Sequence, residues 1–318
     1  MRMAPRSRRN VDFFDSGASP LFGLSFSAAR FSSFLLLLAG VLWGTGGLAG
    51  VFLQTLGGLS PVPVAAYRLL VGGGVATVVV ALAGQLRFLR GRVAVGRLLL
   101  SGALLAQFQA AYQIAVDYID VSLSTLITIG CVPVIVVCVH ATLQRRLPGT
   151  RTLVAVGVSV VGLGLLTGGP SGGGGWDFAV GVVMSLLAGG GFAALTMISA
   201  RPLPGQYVIT AVGLFVGGLL LLPFALVGGG MSMPLRLDVV LLVGYLGIVP
   251  TALAYGAYFL GLRYAHSTAA ALASMLEPLT ATLLAVGLNG ERLSATGMLG
   301  ALLIAGALAG FYLRRWST

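Results

Sequence analysis

The chain has 318 residues, of which 57% are hydrophobic and 8% charged, with a mean hydropathy of +1.00. About a quarter of an average soluble protein is charged, so this composition excludes a soluble globular domain and a disordered chain and points to lipid as the solvent. The net charge of +11 comes from nineteen arginines against eight acidic residues, with no lysine. The arginines lie between apolar runs and not along one face, which argues for membrane topology and against nucleic-acid binding.

In chain order, residues 1–33 hold Arg2, Arg6, Arg8, Arg9 and Arg30 among Ser, Asp and Phe and read as a cytoplasmic tail. The following run, 34–54, is too long for the apolar region of a signal peptide and is expected to be retained as a first membrane helix. Nine further apolar segments follow at 62–84, 95–116, 121–143, 151–168, 178–200, 206–227, 239–261, 265–288 and 295–313. Each approaches the ~20 residues that cross a bilayer core. Turn chemistry separates them: Gly57-Gly58, Pro61 and Pro63, Pro148-Gly149, the glycine run 168–175, Pro202 and Pro204, the glycines 228–230, and Asn289-Gly290. No segment alternates with strand period, so an outer-membrane barrel is not expected. The 48 glycines have no three-residue period. They suit close helix packing, within the bundle or in a dimer, at Gly40/Gly44, Gly46/Gly50, Gly213/Gly217 and Gly306/Gly310.

With the N-terminus inside, sixteen arginines fall on the cytoplasmic side and two, Arg236 and Arg292, outside; Arg68 lies within a segment. This positive-inside bias places both termini in the cytoplasm. The chain also resembles itself at a near-constant offset. Tyr112 lies over Tyr258, Asp117-Tyr118 over Arg263-Tyr264, Leu147 over Leu293, and Pro133 over Pro278 with a one-residue slip. The offset spans five segments, an odd number, so the second half enters the membrane from the opposite side. The expected fold is therefore all-α: ten transmembrane helices as two inverted five-helix repeats, 34–168 and 178–313, joined by an outer linker 169–177 and followed by a short cytoplasmic tail 314–318.

Segment centres mark the bilayer midplane, since a helix rises ~1.5 Å per residue. Trp43-Gly44, Cys131 with Pro133, Gly189–Gly191, Pro250-Thr251 and Glu277-Pro278 converge on that depth. Breakers gathered at one depth suit irregular backbone lining a cavity. Glu277 is the one acidic residue near the centre of any segment. A charged, unpaired carboxylate there costs several kcal/mol, so Glu277 faces a cavity, is protonated, or pairs. Its candidate roles are recognition of a substrate amine and proton coupling. Arg68, off-centre in the second segment, either binds a substrate carboxylate, pairs with Glu277, or is structural, snorkelling outward or bonding carbonyl groups at an outer gate. Gln109, Tyr112 and Gln113 share a face of the third segment at i, i+3 and i+4, as substrate contacts or interhelical glue. Tyr255 and Tyr258 with Trp43 offer an aromatic wall for an apolar or cationic substrate, although Tyr258 also suits an interfacial anchor. Thr251 joins the candidate contacts, and Pro133, Pro250 and Pro278 the candidate hinges or gates. Cys131 and Cys138 are ~10 Å apart on one helix, too far for a disulfide. With His140 and His266 they build no convincing metal cluster, and no metal or cofactor is expected.

The run from Tyr255 to Ala265, continuing to Ala270, then Leu276-Glu277-Pro278-Leu279 and Asn289-Gly290-Glu291-Arg292-Leu293-Ser294, resembles the repeat ending of the drug/metabolite transporter superfamily, and within it the EamA-type ten-helix carriers. Trp43-Gly44, Pro63 and Arg68 carry the same resemblance in the first half, which covers about residues 34–313 overall. The first repeat departs from it, with Gln144-Arg145-Arg146-Leu147 where such carriers have a glutamate. The resemblance implies export of small metabolites, commonly amino acids or drug-like compounds. The inverted repeats suit alternating access, either secondary active or facilitated by the solute's own gradient, in the inner membrane of a bacterium, as a monomer or homodimer. Protons are a candidate coupling ion. No nucleotide-binding motif is present, and the lack of a nucleophile–base pair argues against an enzyme. A channel, a lipid translocator and a non-transporting scaffold are the other readings of the same hydropathy.

Overall fold

A computed structural model describes residues 24–119, 121–167, 175–201, 203–227, 230–289 and 294–315. The N-terminal arginines before Leu24, Asp120, most of the 168–175 glycine run and the acidic turn 290–293 lie outside the described residues. The described chain is helical, with no strand among its described residues. Ten stretches are long and apolar enough to cross a membrane.

Seven of these are the single helices α1 (Leu24–Gly57), α2 (Pro61–Leu82), α3 (Arg92–Tyr118), α4 (Val121–Gln144), α5 (Thr150–Thr167), α6 (Trp176–Ser199) and α7 (Gln206–Val227). The eighth span is composite: α8 (Leu237–Gly247), a π-helical turn Ile248–Leu253, and α9 (Ala254–Leu262). The ninth is α10 (Ser267–Ala273) and α11 (Leu276–Asn289), and the tenth is α12 (Ala295–Arg315). Helix α1 starts at Leu24, before the expected residue 34. The extra turns are held by packing: Ser32 and Ser33 are fully buried, and Ser32 Oγ donates to Gly261 O at 2.7 Å.

Of the three mid-span prolines, two break their spans and one does not. Proline lacks an N–H and its ring crowds the carbonyl four residues back. For Pro278 that carbonyl belongs to Ser274, and α10 ends there; Glu277 N bonds Ser274 O at 3.0 Å instead. For Pro250 the response is the π turn. Pro133 sits inside an unbroken α4.

Packing follows small residues. Helix α2 lies on α7, α5 on α12, α3 on α6 and α7, and α4 on α6; α1 packs on the eighth and ninth spans, and α2 also on the eighth. Exchanging the halves carries this set onto itself: α3 against α6 and α7 matches the eighth span against α1 and α2. At Gly73 the α2 backbone touches the α7 backbone, where a Cβ would collide with Phe215 N and come within 2.6 Å of Leu214 C. Gly40 and Gly44 admit Ala273 and Thr280 of the ninth span, whereas Gly306 and Gly310 have nothing within 4 Å. Arg97 of α3 caps the C-terminal end of α6, donating from Nη1 to Ile198 O and Arg201 O at 3.2 Å; a cation there satisfies carbonyls that the helix leaves free.

Candidate binding cavity

Between the halves, α1, α2, α3, α4, α6, α9 and α11 enclose a cavity of about 40 Å³. That is room for a few waters, each of which needs ~10–15 Å³ of such space. Six of the sequence-derived candidates meet there: Trp43, Arg68, Gln109, Tyr112, Tyr255 and Glu277.

Glu277 enters from the first turn of α11, immediately after the break that Pro278 imposes. Its carboxyl has no hydrogen-bond or ion-pair partner among the described residues. Trp43 is 4% exposed, and its indole Nε1–H is buried without an acceptor. Buried polar groups are nearly always paired, and an orphan costs about 1–3 kcal/mol. Among these wall residues the buried orphan is the Trp43 N–H, while the Glu277 carboxyl is half-buried and has no protein partner among the described residues.

The Trp43 ring itself is firmly held. Its centroid lies 5.6 Å from Phe192, 5.1 Å from Tyr255 and 4.9 Å from Tyr258, edge-on or tilted. Such geometries add about 0.5–1.5 kcal/mol per pair beyond burial. Tyr258 is fully buried and shares a hydrogen bond of 2.9 Å with Thr196 of α6, so it is a plug residue between α6 and α9 and not an interfacial anchor. Gln109 is buried at the cavity wall, and Tyr112 Oη shares a 2.8 Å hydrogen bond with Thr125 Oγ1 of α4.

Other candidates fall elsewhere. Gln113 is partly buried and does not line the cavity. Thr251 is fully buried, and its hydroxyl is used within the protein: Oγ1 donates to Leu246 O at 2.8 Å and accepts from Arg68 Nε at 2.9 Å. Arg68 Nη2 also donates to Pro250 O at 3.1 Å. Of the three sequence-derived roles for Arg68, this geometry is that of carbonyl binding. Pro133 is buried in α4 away from the cavity wall, and Pro250 and Pro278 sit at the two breaks. His140 Nε2 lies 3.2 Å from Ser267 Oγ, joining α4 to α10. Cys131 and Cys138 are free thiols.

Five wall residues carried no expectation: Phe108, Thr125, Thr128, Ile129 and Phe192. A signal existed for two of them, because Thr125 and Thr128 are spaced i, i+3 on one face of α4.

The family model described as the EamA-like transporter family matches residues 30–168 and again 179–313. An uncharacterized transporter of Bacillus subtilis (strain 168), YwfM, is 31% identical over 283 residues, covering 87% of this chain and 92% of its own. An uncharacterized transporter of Archaeoglobus fulgidus is 27% identical over 202 residues, 63% of this chain and 70% of its own. A solved crystal structure shares the fold with a TM-score of 0.72 at 20% identity, over 89% of this chain and 98% of that one.

Proposed function

The chain belongs to the EamA-like transporter family, and from that premise we propose that it carries a small solute across the cytoplasmic membrane by alternating access, with the cavity between its halves as the solute site. It is a multi-pass membrane transporter by family and span count. The finer reading rests on one observation, the half-buried carboxyl of Glu277, without a hydrogen-bond or ion-pair partner among the described residues, at a cavity that Trp43 also lines. A group kept at this cost inside a bilayer has a partner in another step of the cycle. For Glu277 that partner is a cationic or hydrogen-bond-donating group of the solute, or a proton. For Trp43 Nε1 it is an acceptor on the same solute, whose body packs on the aromatic wall.

The size of the cavity supports movement. About 40 Å³ is too small for a metabolite, so the accepting state is wider. The π turn and the break at Ser274 lie in the two spans that carry Tyr255 and Glu277, where a change in backbone direction is least costly. In the proposed topology both termini are cytoplasmic, the halves thread the membrane in opposite senses, and the arginine bias supports both. The family resemblance carries the outward direction of transport.

Uptake into proteoliposomes across a panel of amino acids and organic cations, with and without a pH gradient, tests this reading. Saturable, concentrative or gradient-stimulated flux of one class is expected. Flux that rises linearly with concentration for every solute would make the protein a pore and overturn the carrier reading.

A further inference from the structure

Arg68 occupies an unusual position. It is the cation nearest Glu277 around the cavity, yet the two are not paired. Its guanidinium is committed to the π turn of the eighth span, and the bonding there can be followed atom by atom. Pro250 has no N–H to give Leu246 O, so Thr251 Oγ1 donates to that carbonyl. The N–H of Ala254, which would meet Pro250 O in an α-helix, bonds Val249 O and Thr251 O. Arg68 then supplies donors from another helix: Nε to Thr251 Oγ1 and Nη2 to Pro250 O. Gly46 of α1 leaves the space, since a Cβ there would press on Pro250 and approach Arg68 Nη2 at 3.8 Å. One side chain from the first half thus braces the irregular turn in the second.

We propose that Arg68 is a positioning residue that exchanges partners, holding the Ile248–Leu253 turn while Glu277 is neutral or occupied by a cationic solute, and leaving it for the Glu277 carboxylate when that group is ionised and unoccupied. The inference rests on the cavity reading above and adds how the charge state of the site reaches the hinge. Charge-assisted hydrogen bonds from the guanidinium to a neutral hydroxyl and a neutral carbonyl hold Arg68 in the observed geometry. A guanidinium–carboxylate pair adds a full countercharge and a bidentate fit to the same donors, and low local dielectric strengthens it further. Leaving the turn exposes Pro250 O and the Thr251 hydroxyl to loss of a donor, which frees the turn to bend. The titratable groups facing Glu277 are Arg68 from α2, Tyr112 from α3 and Tyr255 from α9. The walls from α1, α4 and α6 contribute Trp43, Thr125, Thr128, Ile129 and Phe192, none of which titrates. The carboxylate's strong cationic partner is therefore Arg68 or the solute.

Hydrogen exchange in lipid nanodiscs at a single pH of about 8, without solute, tests the exchange of partners. Glu277→Gln, which cannot ionise, is expected to slow exchange across Ile248–Leu253 at least threefold, because Arg68 then stays on the turn. Arg68→Gln is expected to speed it by a similar factor, and Glu277→Gln added to Arg68→Gln is expected to change nothing more. Should Arg68→Gln fail to fold, Thr251→Val removes one of the same contacts. A merely structural arginine would respond to its own substitution and not to that of Glu277. The proposal is overturned if Glu277→Gln leaves exchange in this segment as in the parent, or slows it equally without Arg68. Since no transport is read, that result would remove the switch and leave the cavity reading to the uptake assay.

Discussion

Replacing Glu277 by Gln is expected to lower the transport rate at least tenfold while leaving the thermal stability of the purified protein unchanged or raised. The two halves of this result have one cause. In the structure the carboxyl makes no hydrogen bond or ion pair with a described residue, so the amide loses no protein contact. What it loses is the capacity to carry charge or a proton. A charge-assisted hydrogen bond contributes about 1.5–3 kcal/mol, and 1.4 kcal/mol is a factor of about ten. A structural glutamate would behave the other way, losing stability and transport together. Uptake and thermal-denaturation midpoints measured on the same preparations separate these outcomes.

Gly73→Ala is expected to lower the apparent midpoint of unfolding in detergent by about 2–6 °C, with Gly74→Ala at or above the parent value. A Cβ at Gly73 would collide with backbone atoms of Phe215 and Leu214 in α7. Backbone cannot rotate away as a side chain can, so α2 and α7 must separate. Overpacking of this kind costs about 1–3 kcal/mol, and a chain above 250 residues loses roughly 2 °C per kcal/mol. At Gly74 the nearest atoms are the Phe215 ring at 3.9 Å, an ordinary contact, and the alanine gains helix propensity of up to ~1 kcal/mol. Because α2 and α7 are equivalent positions in the two halves, this seam also joins the repeats, and loss of packing there is expected to reach transport.

Much of this was legible in the sequence. Apolar runs of membrane length gave the spans, since hydropathy acts residue by residue. Glu277, Trp43 and Tyr255 were findable because an acid or a large aromatic at mid-depth is costly or conspicuous wherever its helix faces. Phe192, Phe108 and Ile129 were not, because an apolar side chain looks the same towards lipid, core or cavity. Gln113 shares a stripe with Gln109 and still misses the cavity, since a shared face says nothing of which neighbour meets it. The three mid-span prolines look alike in sequence, yet α4 runs through Pro133 while Pro250 yields a π turn and Pro278 a break. Neighbouring groups decide that outcome, and the Thr251 hydroxyl and the Arg68 guanidinium come together only in the folded bundle. Tyr258 shows the same limit: its position along the span suggested an interface, and its hydrogen bond to Thr196 on α6 depends on packing between halves.

Solute protection of a thiol introduced in the cavity wall tests the central claim most directly. Thr125→Cys, in a protein with Cys131 and Cys138 replaced by Ser, places that thiol on the wall where Tyr112 and Thr125 meet. A transported solute is expected to slow its reaction with a small maleimide saturably, with a half-effect concentration matching the KM for transport. Undiminished labelling of the Thr125→Cys variant at solute concentrations that saturate transport would contradict the assignment of this cavity as the solute site.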